Sequence, residues 1–253
     1  MAPFQTIVLK KDGWVARITL NRPQALNALN VEMMSELGKA LKDIASDASM
    51  RVVVLTGAGG RAFSAGVDIK ALRAMAERPG ERESFGRLAR ETLQAIEDLG
   101  LPVIAVVDGY CLTGALELAM ACDMIVASED SRFGDTHARW GLRPSWGGSQ
   151  RLPRMVGMMK AKELLFTAEP IDAREAERIG LINKAAPREK LEETVNELVK
   201  KLIANSPGSI RVEKQLVSQG MRMDLPAALK FEAETRPAIA DTEERMRAFG
   251  KRG

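Results

Sequence analysis

Three short, continuously apolar runs constrain the fold of this 253-residue chain more than any other feature. They span residues 52–55, 103–107 and 124–127, and they are rich in β-branched side chains. Strands that are covered on both faces have this composition, whereas half-exposed strands alternate apolar and polar residues. Helical patterns separate the three runs, and such β-α-β alternation is typical of a largely parallel sheet. The sequence therefore predicts an α/β fold around a buried sheet.

The N-terminal region predicts an antiparallel hairpin at one edge of this sheet. Residues 6–10 and 14–20 alternate apolar and polar side chains on either side of a glycine-containing turn. Apolar residues at helical spacing follow over 31–44. From about Asp172 onward the pattern is almost wholly helical, apart from a short strand-like segment at 181–186. We therefore expect antiparallel pairing at the start of the chain and a helical C-terminal region.

Composition argues against several classes of partner and cofactor. The 37 Lys and Arg residues against 34 Asp and Glu residues give a formal net charge of +3, far from the concentrated positive field of a dedicated nucleic-acid binder. One histidine and two cysteines without CxxC spacing predict no metal site. No stretch approaches the roughly 20 apolar residues of a membrane span. We expect a cytoplasmic protein without nucleic-acid or membrane partners.

A glycine-rich segment at 57–66 connects the end of a buried strand to a helical pattern that opens at Val67. Glycine lets the backbone approach a ligand closely, and the free N–H groups at a helix start receive an anion or a polarised oxygen. The segment lacks the Gly-Lys-Ser/Thr of a phosphate loop and the placement of a dinucleotide motif. A strand-to-helix connection without a ligand is the alternative interpretation.

A second segment repeats the order of strand, turn and helix, and its helix contains an unexpected carboxylate. The next buried strand leads through a turn that ends at Gly114 into a very apolar helix over 115–122, which contains Glu117. An ionised carboxylate in such a helix is costly unless it is paired or used chemically, so Glu117 is a candidate acid or base with a raised pKa. The alternative is a structural glutamate that pairs with Arg139 or Arg151.

Read together, the two turns resemble the crotonase family of enoyl-CoA hydratases and isomerases. The resemblance is carried by the segments 21–29, 62–70, 109–123, 147–152 and 173–182. It runs from the hairpin to about residue 190 and continues into the C-terminal helices at 205–208. It implies a spiral core of repeated ββα turns over residues 1–190 and a helical trimerisation region over 191–253. The implied assembly is a homotrimer or a dimer of trimers.

The resemblance also implies an acyl-CoA thioester as the ligand. The N–H groups of Val67 and Gly114 would form an oxyanion hole for the thioester oxygen, and loss of one such donor typically costs about 3 kcal/mol. Glu117 matches the glutamate that removes a proton from water as it adds at Cβ. The implied function is that of an enoyl-CoA hydratase, a lyase of fatty acid metabolism. No metal or cofactor is implied, because the thioester itself accepts the negative charge.

Two positions depart from the family pattern. His137 stands where a second glutamate is expected to deliver a proton to Cα, and Asp135 precedes it by two residues. A histidine exchanges a proton near neutral pH, so His137 is the candidate proton donor, with Asp135 as its orienting group. Simple lining of the pocket is the alternative. Trp146 replaces a small residue, which predicts a shortened or reshaped acyl pocket, or alternatively a surface or interface tryptophan.

The resemblance places CoA near Arg22, Ala25, Ala65 and Lys70. Solvated surface positions are the alternative for the two basic side chains. Because stabilisation of an enolate serves several chemistries, thioester hydrolysis, decarboxylation and isomerisation are alternative reactions. The missing second glutamate weakens the case for isomerisation more than the case for hydration. A non-catalytic protein that binds acyl-CoA is the alternative from another functional class.

Overall fold

A computed structural model describes residues 4–249 of the chain. In this part of the chain, ten strands form two sheets. The strands are β1 Ile7–Asp12, β2 Val15–Leu20, β3 Val52–Gly57, β4 Ala62–Ser64, β5 Val103–Val107, β6 Tyr110–Leu112, β7 Met124–Ser128, β8 Arg132–Gly134, β9 Ile171–Asp172 and β10 Lys184–Ala186.

The larger sheet has six strands in the order β1-β2-β3-β5-β7-β10. Only the β1–β2 pair is antiparallel, and every other neighbouring pair in this sheet is parallel. The three apolar runs of the sequence are β3, β5 and β7, and all five residues of β5 are buried. The predicted α/β fold, the opening hairpin and the buried parallel sheet are therefore confirmed.

The smaller sheet has the order β4-β6-β8-β9 and produces the spiral character of the fold. In each of the pairs β3–β4, β5–β6 and β7–β8, the first strand joins the larger sheet and the second joins the smaller one. This arrangement is the repeated turn that the resemblance implies. The interpretation of 108–114 as a turn alone was wrong, because β6 lies inside this segment. A three-residue strand is too short to show an alternating pattern.

Eleven α-helices lie within residues 4–249. They are α1 Val31–Ala45, α2 Ile69–Ala76, α3 Glu81–Asp98, α4 Gly114–Ala119, α5 Gly148–Val156, α6 Met158–Thr167, α7 Ala173–Arg178, α8 Leu191–Ala204, α9 Pro207–Gly220, α10 Leu225–Glu234 and α11 Thr242–Phe249. Helix α1 begins where the Asn30 side chain accepts a hydrogen bond from Met33 N–H, an ordinary N-cap. Of the described helices, none has the length and apolar character that crossing a membrane requires.

Helix α8 packs directly against the larger sheet. Val195 and Val199 are buried with Val52 and Val54 of β3 in one apolar cluster. The first helix after residue 190 therefore contributes to the core, because its apolar face covers strands that would otherwise meet water. The division into a spiral core and a C-terminal helical region at residue 190 stays a prediction.

Candidate active site

Two turns lie side by side because β4 and β6 are parallel neighbours and each is followed by a helix. At the first turn Gly66 adopts φ 98°, and a Cβ on Gly66 would lie 1.9 Å from Thr113 Oγ1 of the second turn. Only glycine permits this approach. Thr113 itself has φ 51° and ψ −117°, which a β-branched residue adopts at a cost of about 1–3 kcal/mol. Such strain indicates that the surrounding contacts determine the backbone here.

Val67 and Gly114 belong to these two turns. Their backbone N–H groups have no hydrogen-bond acceptor among residues 4–249. Val67 pairs with Leu29 through its neighbours: Leu29 N–H donates to Gly66 O at 2.8 Å, and Asp68 N–H donates to Leu29 O at 2.9 Å. Neither hydrogen bond uses Val67 N–H. Gly114 is the first residue of α4, whose first N–H groups have no partner inside the helix. Both groups are therefore available to a ligand, and their convergence on one oxygen stays a prediction.

Glu117 is buried in α4 and lines a cavity of about 580 Å³. Its Oε1 accepts hydrogen bonds from Trp146 N–H and Gly148 N–H, both at 2.8 Å. No protein group donates to its Oε2 in the described part of the chain. The pairing with Arg139 or Arg151 that was the alternative does not form, because Arg151 binds Glu97 at 2.7 Å and Arg139 makes no ion pair among these residues. Glu117 is therefore oriented by backbone amides and not neutralised by a cation.

Burial raises the pKa of Glu117, as the sequence predicted. The hydrogen bonds from Gly148 and Trp146 and the nearby His137 act in the opposite direction, because they favour the charged form, while the charge of Asp135 adds to the rise. Desolvation is the largest of these effects. A carboxylate that is desolvated and yet held at one oxygen is suited to accept a proton at its other oxygen.

His137 lies on the wall of the same cavity and is bound to Asp135. Its Nδ1 lies 2.7 Å from Asp135 Oδ1, and its backbone N–H donates to the same oxygen at 3.0 Å. The expected contact therefore forms, and His137 is the first residue of a short 3₁₀ helix that ends at Trp140. Asp135 is buried, so this contact fixes the orientation of the imidazole ring.

Trp146 is buried and lines the cavity, so it is not a surface residue. Its ring meets Phe85 of α3 edge to face, with centroids 5.4 Å apart and an angle of 88°. A Cβ on Gly114 would lie 2.8 Å from Trp146 Cζ3 and 3.2 Å from Val67 Cγ2. The indole therefore packs against the second turn, and it lines the cavity together with Glu117.

The four residues that were expected near CoA have different surroundings. Ala65 lines the cavity, while Ala25 ends a 3₁₀ helix and Lys70 is exposed on α2. Arg22 donates to Ala28 O at 2.5 Å and binds Asp68 at 2.9 Å. This ion pair fixes the loop before the first turn, so Arg22 is not the solvated surface residue that the alternative interpretation describes. Contacts between these residues and CoA stay a prediction.

Sequence reasoning missed the part of the cavity wall that α2, α3 and the loop before α5 provide. It includes Leu72 and Arg73 of α2, Arg82 and Phe85 of α3, and Arg143 of the loop. No motif marks these positions, since they come together only through the packing of α2 on α3.

Solved structures place this fold and site in the crotonase class. The crystal structure of an enoyl-CoA hydratase from Bacillus anthracis matches 98% of this chain and 97% of its own length, at a TM-score of 0.92 and 35% identity. An enoyl-CoA hydratase structure from Geobacillus kaustophilus matches 99% and 97%, at a TM-score of 0.89 and 32% identity. These likenesses cover both the spiral core and the C-terminal helices.

The sequence comparisons lead to the same class. A family described as Enoyl-CoA hydratase/isomerase matches residues 10–251, and the chain belongs to this family. It is 41% identical to the short-chain-enoyl-CoA hydratase of Clostridium acetobutylicum, over 97% of this chain and 94% of that protein. It is 36% identical to the crotonyl-CoA hydratase of Syntrophomonas wolfei, over 97% and 95% of the two chains.

Proposed function

We propose that this protein is an enoyl-CoA hydratase that adds water to the double bond of a 2-enoyl-CoA thioester. The observation that carries the proposal is Glu117, which is held at Oε1 by two backbone amides and lines a cavity together with Val67 of the first turn and Thr113 of the second. The hydratase names of relatives at 36–41% identity support the same reaction.

In the proposed reaction, Glu117 Oε2 takes a proton from water while the water oxygen bonds to Cβ. The electron pair of the double bond moves towards the thioester oxygen, where the N–H groups of Val67 and Gly114 stabilise the negative charge. The enolate then takes a proton at Cα, and the product is a 3-hydroxyacyl-CoA. The thioester supplies the electron sink, so the proposed reaction uses neither a metal nor a separate cofactor.

We assign the second proton transfer to His137, in place of the second family glutamate. The bond between Nδ1 and Asp135 leaves Nε2 as the atom that carries a proton to Cα. Asp135 is then a positioning residue, because it orients the ring. The assignment is supported by the position of His137 on the wall that it shares with Glu117.

We propose a short acyl group as the substrate. The edge-to-face pair of Trp146 and Phe85 narrows the cavity beside Glu117 and limits the space for a long chain. The words "short-chain" and "crotonyl" in the names of two relatives agree with this proposal.

The test is the loss of enoyl-thioester absorbance with but-2-enoyl-CoA, measured beside calorimetry with the saturated butanoyl-CoA. We expect turnover by the wild type and a large loss in His137→Ala, with the affinity for butanoyl-CoA largely retained. Tight binding of saturated thioesters without turnover at any chain length would instead support the non-catalytic alternative. Full activity of His137→Ala would leave this residue as pocket lining.

We further propose the homotrimer or dimer of trimers and the cytoplasmic location that the sequence predicted. The support for assembly is an apolar surface on α9 and α10, where Val217, Met221, Leu225 and Leu229 are each more than half exposed. Apolar surfaces of this kind are commonly covered by another subunit. Light scattering during size-exclusion chromatography tests the assembly, and a monomeric mass contradicts it.

A further inference from the structure

Three arginines on the cavity wall have no acidic partner within residues 4–249. They are Arg73 of α2, Arg82 of α3 and Arg143 in the loop before α5. In the part of the chain that the structure describes, none of them forms an ion pair, and Arg143 donates only to Pro144 O at 3.3 Å. By contrast, the neighbouring Arg78 does bind Glu81, at 3.1 Å. The cavity therefore presents guanidinium groups that other side chains leave uncompensated.

The positive charge continues beyond the cavity. An open depression adjoins it and shares Arg82 and Arg143 with it, and this depression adds Arg90 and a single acidic residue, Glu83. Three arginines against one glutamate give this region a net positive charge, which attracts an anion entering from solvent. Guanidinium groups bind carboxylates through strong charge-assisted hydrogen bonds.

Arg82 and Arg143 line both the cavity and the adjoining depression. The depression past Arg82 and Arg143 contains none of the four residues that were expected near CoA. On the cavity wall the same two arginines accompany Phe85 and Trp146, which limit the acyl group. With CoA at those four residues, as the resemblance implies, an anion bound in the depression belongs to the acyl chain and not to the nucleotide.

We propose that the site prefers an acyl-CoA whose acyl chain ends in a carboxylate, which Arg82 and Arg143 bind and Arg73 attracts. The inference rests on the proposed function, because it requires that the cavity hold the acyl group of a thioester. The substrate class is then an ω-carboxy-2-enoyl-CoA of short chain length. Hydration at Cβ is chemically unchanged, and the arginines contribute selectivity through binding.

The experiment compares two saturated thioesters of equal chain length, 4-carboxybutanoyl-CoA and pentanoyl-CoA, by calorimetry. The wild type should bind the carboxylated thioester at least about tenfold more tightly, as expected for a charge-assisted hydrogen bond. In Arg82→Met/Arg143→Met this ratio should fall towards one, because methionine retains the apolar stem without the charge. Arg87→Met removes an exposed charge from the same helix outside the cavity, and it should retain the wild-type ratio.

The same preference should appear in turnover. The ratio of kcat/KM for 4-carboxybut-2-enoyl-CoA over pent-2-enoyl-CoA should exceed about ten in the wild type and decrease in the double variant, with most of the change in KM. A change confined to one substrate distinguishes recognition of the carboxylate from a general structural effect of the two substitutions.

Three results would overturn parts of this argument separately. Equal affinity of the wild type for the two thioesters would refute the carboxylate preference and leave the proposed hydratase intact. If the double variant loses affinity for both thioesters and for free CoA to the same extent, the arginines bind CoA phosphates. This result also refutes the carboxylate preference. Failure of the wild type to bind either thioester would contradict the proposed function itself.

Discussion

The charged groups at the floor of the cavity are buried and hydrogen-bonded, whereas those at its mouth are exposed and unpaired within residues 4–249. The floor consists of Glu117, His137 and Trp146, and Asp135 supports it by binding His137. The two carboxylates of this region are buried, and each accepts two hydrogen bonds. At the mouth, which consists of Arg73, Arg82 and Arg143, the charges are exposed and have no acidic partner among residues 4–249.

This difference indicates separate tasks for the two regions. Fixed hydrogen bonds in a desolvated region hold reacting groups in position and strengthen electrostatic effects. Exposed charges on long side chains are mobile and screened by solvent, so they select a ligand with little effect on the stability of the fold. The floor should therefore control kcat, and the mouth should control which acyl group binds.

The largest expected effect is on the floor, in Glu117→Gln. The amide oxygen of glutamine still accepts the hydrogen bonds from Trp146 and Gly148, but the side chain no longer accepts a proton from water. We expect kcat to fall by a factor on the order of 10² to 10⁴, while the affinity for butanoyl-CoA is retained. Steady-state kinetics and calorimetry measure the two quantities, and unchanged turnover would remove Glu117 from the mechanism.

The raised pKa of Glu117 adds a pH dependence with a definite sign. As the pH falls through this pKa, Glu117 gains a proton and no longer acts as a base, so kcat/KM falls at a higher pH than the value near 4.3 of an exposed glutamate would give. A raised pKa also means that ionisation of Glu117 opposes folding above its unfolded-state pKa. Glu117→Gln should therefore not lower the free energy of unfolding at pH 7. Any stabilisation relative to the wild type should disappear in acid, where Glu117 is protonated in both the folded and the unfolded state.

The next effect should come from Gly66→Ala, which tests the close approach of the two turns. A Cβ would lie 1.9 Å from Thr113 Oγ1, and the φ of 98° is unfavourable for alanine. We expect the free energy of unfolding to fall by about 2–4 kcal/mol, measured by urea denaturation. Gly141→Ala is the matched control, since its φ is also positive but a Cβ meets nothing within 4 Å. If both variants lose the same free energy of unfolding, the destabilisation comes from the backbone conformation and not from contact with Thr113.

A smaller loss is expected in Asp135→Asn, which keeps an oxygen beside His137 but removes the negative charge. Loss of a charge-assisted hydrogen bond corresponds to a decrease in kcat of about 10- to 100-fold. If Asp135 acts through His137, the double variant with His137→Ala should be no slower than His137→Ala alone. Additive losses in this double-mutant cycle would contradict a positioning role for Asp135.

The smallest effect should be that of Arg73→Met on stability. Arg73 is exposed on α2 and makes no ion pair in the described chain, and methionine is a good helix former. We expect the free energy of unfolding to change by less than about 0.5 kcal/mol. A loss above 1 kcal/mol in urea denaturation would show that the mouth contributes to the fold as well as to selection.

Sequence reasoning predicted the parts of the fold whose signal is local. Helix α1 and strands β3, β5 and β7 were found because each shows its own periodicity or composition over at least four residues. Strands β4, β6, β8 and β9 have two or three residues each, too few for a pattern, and they were missed. Within the site, the anomalous charge of Glu117 and the spacing of Asp135 and His137 were visible in the sequence.

The sequence by itself determined that Glu117 lies in an apolar helix and that a glycine-containing turn precedes it, because both are properties of neighbouring residues. Only the tertiary structure decided that Glu117 is bound by backbone amides 29 and 31 residues away and not by Arg139 or Arg151. It also decided that Arg82 of α3 and Arg143 of a distant loop share one cavity wall. Contacts of this kind depend on how helices pack across the chain, and no local pattern encodes which partner a buried or exposed charge will meet.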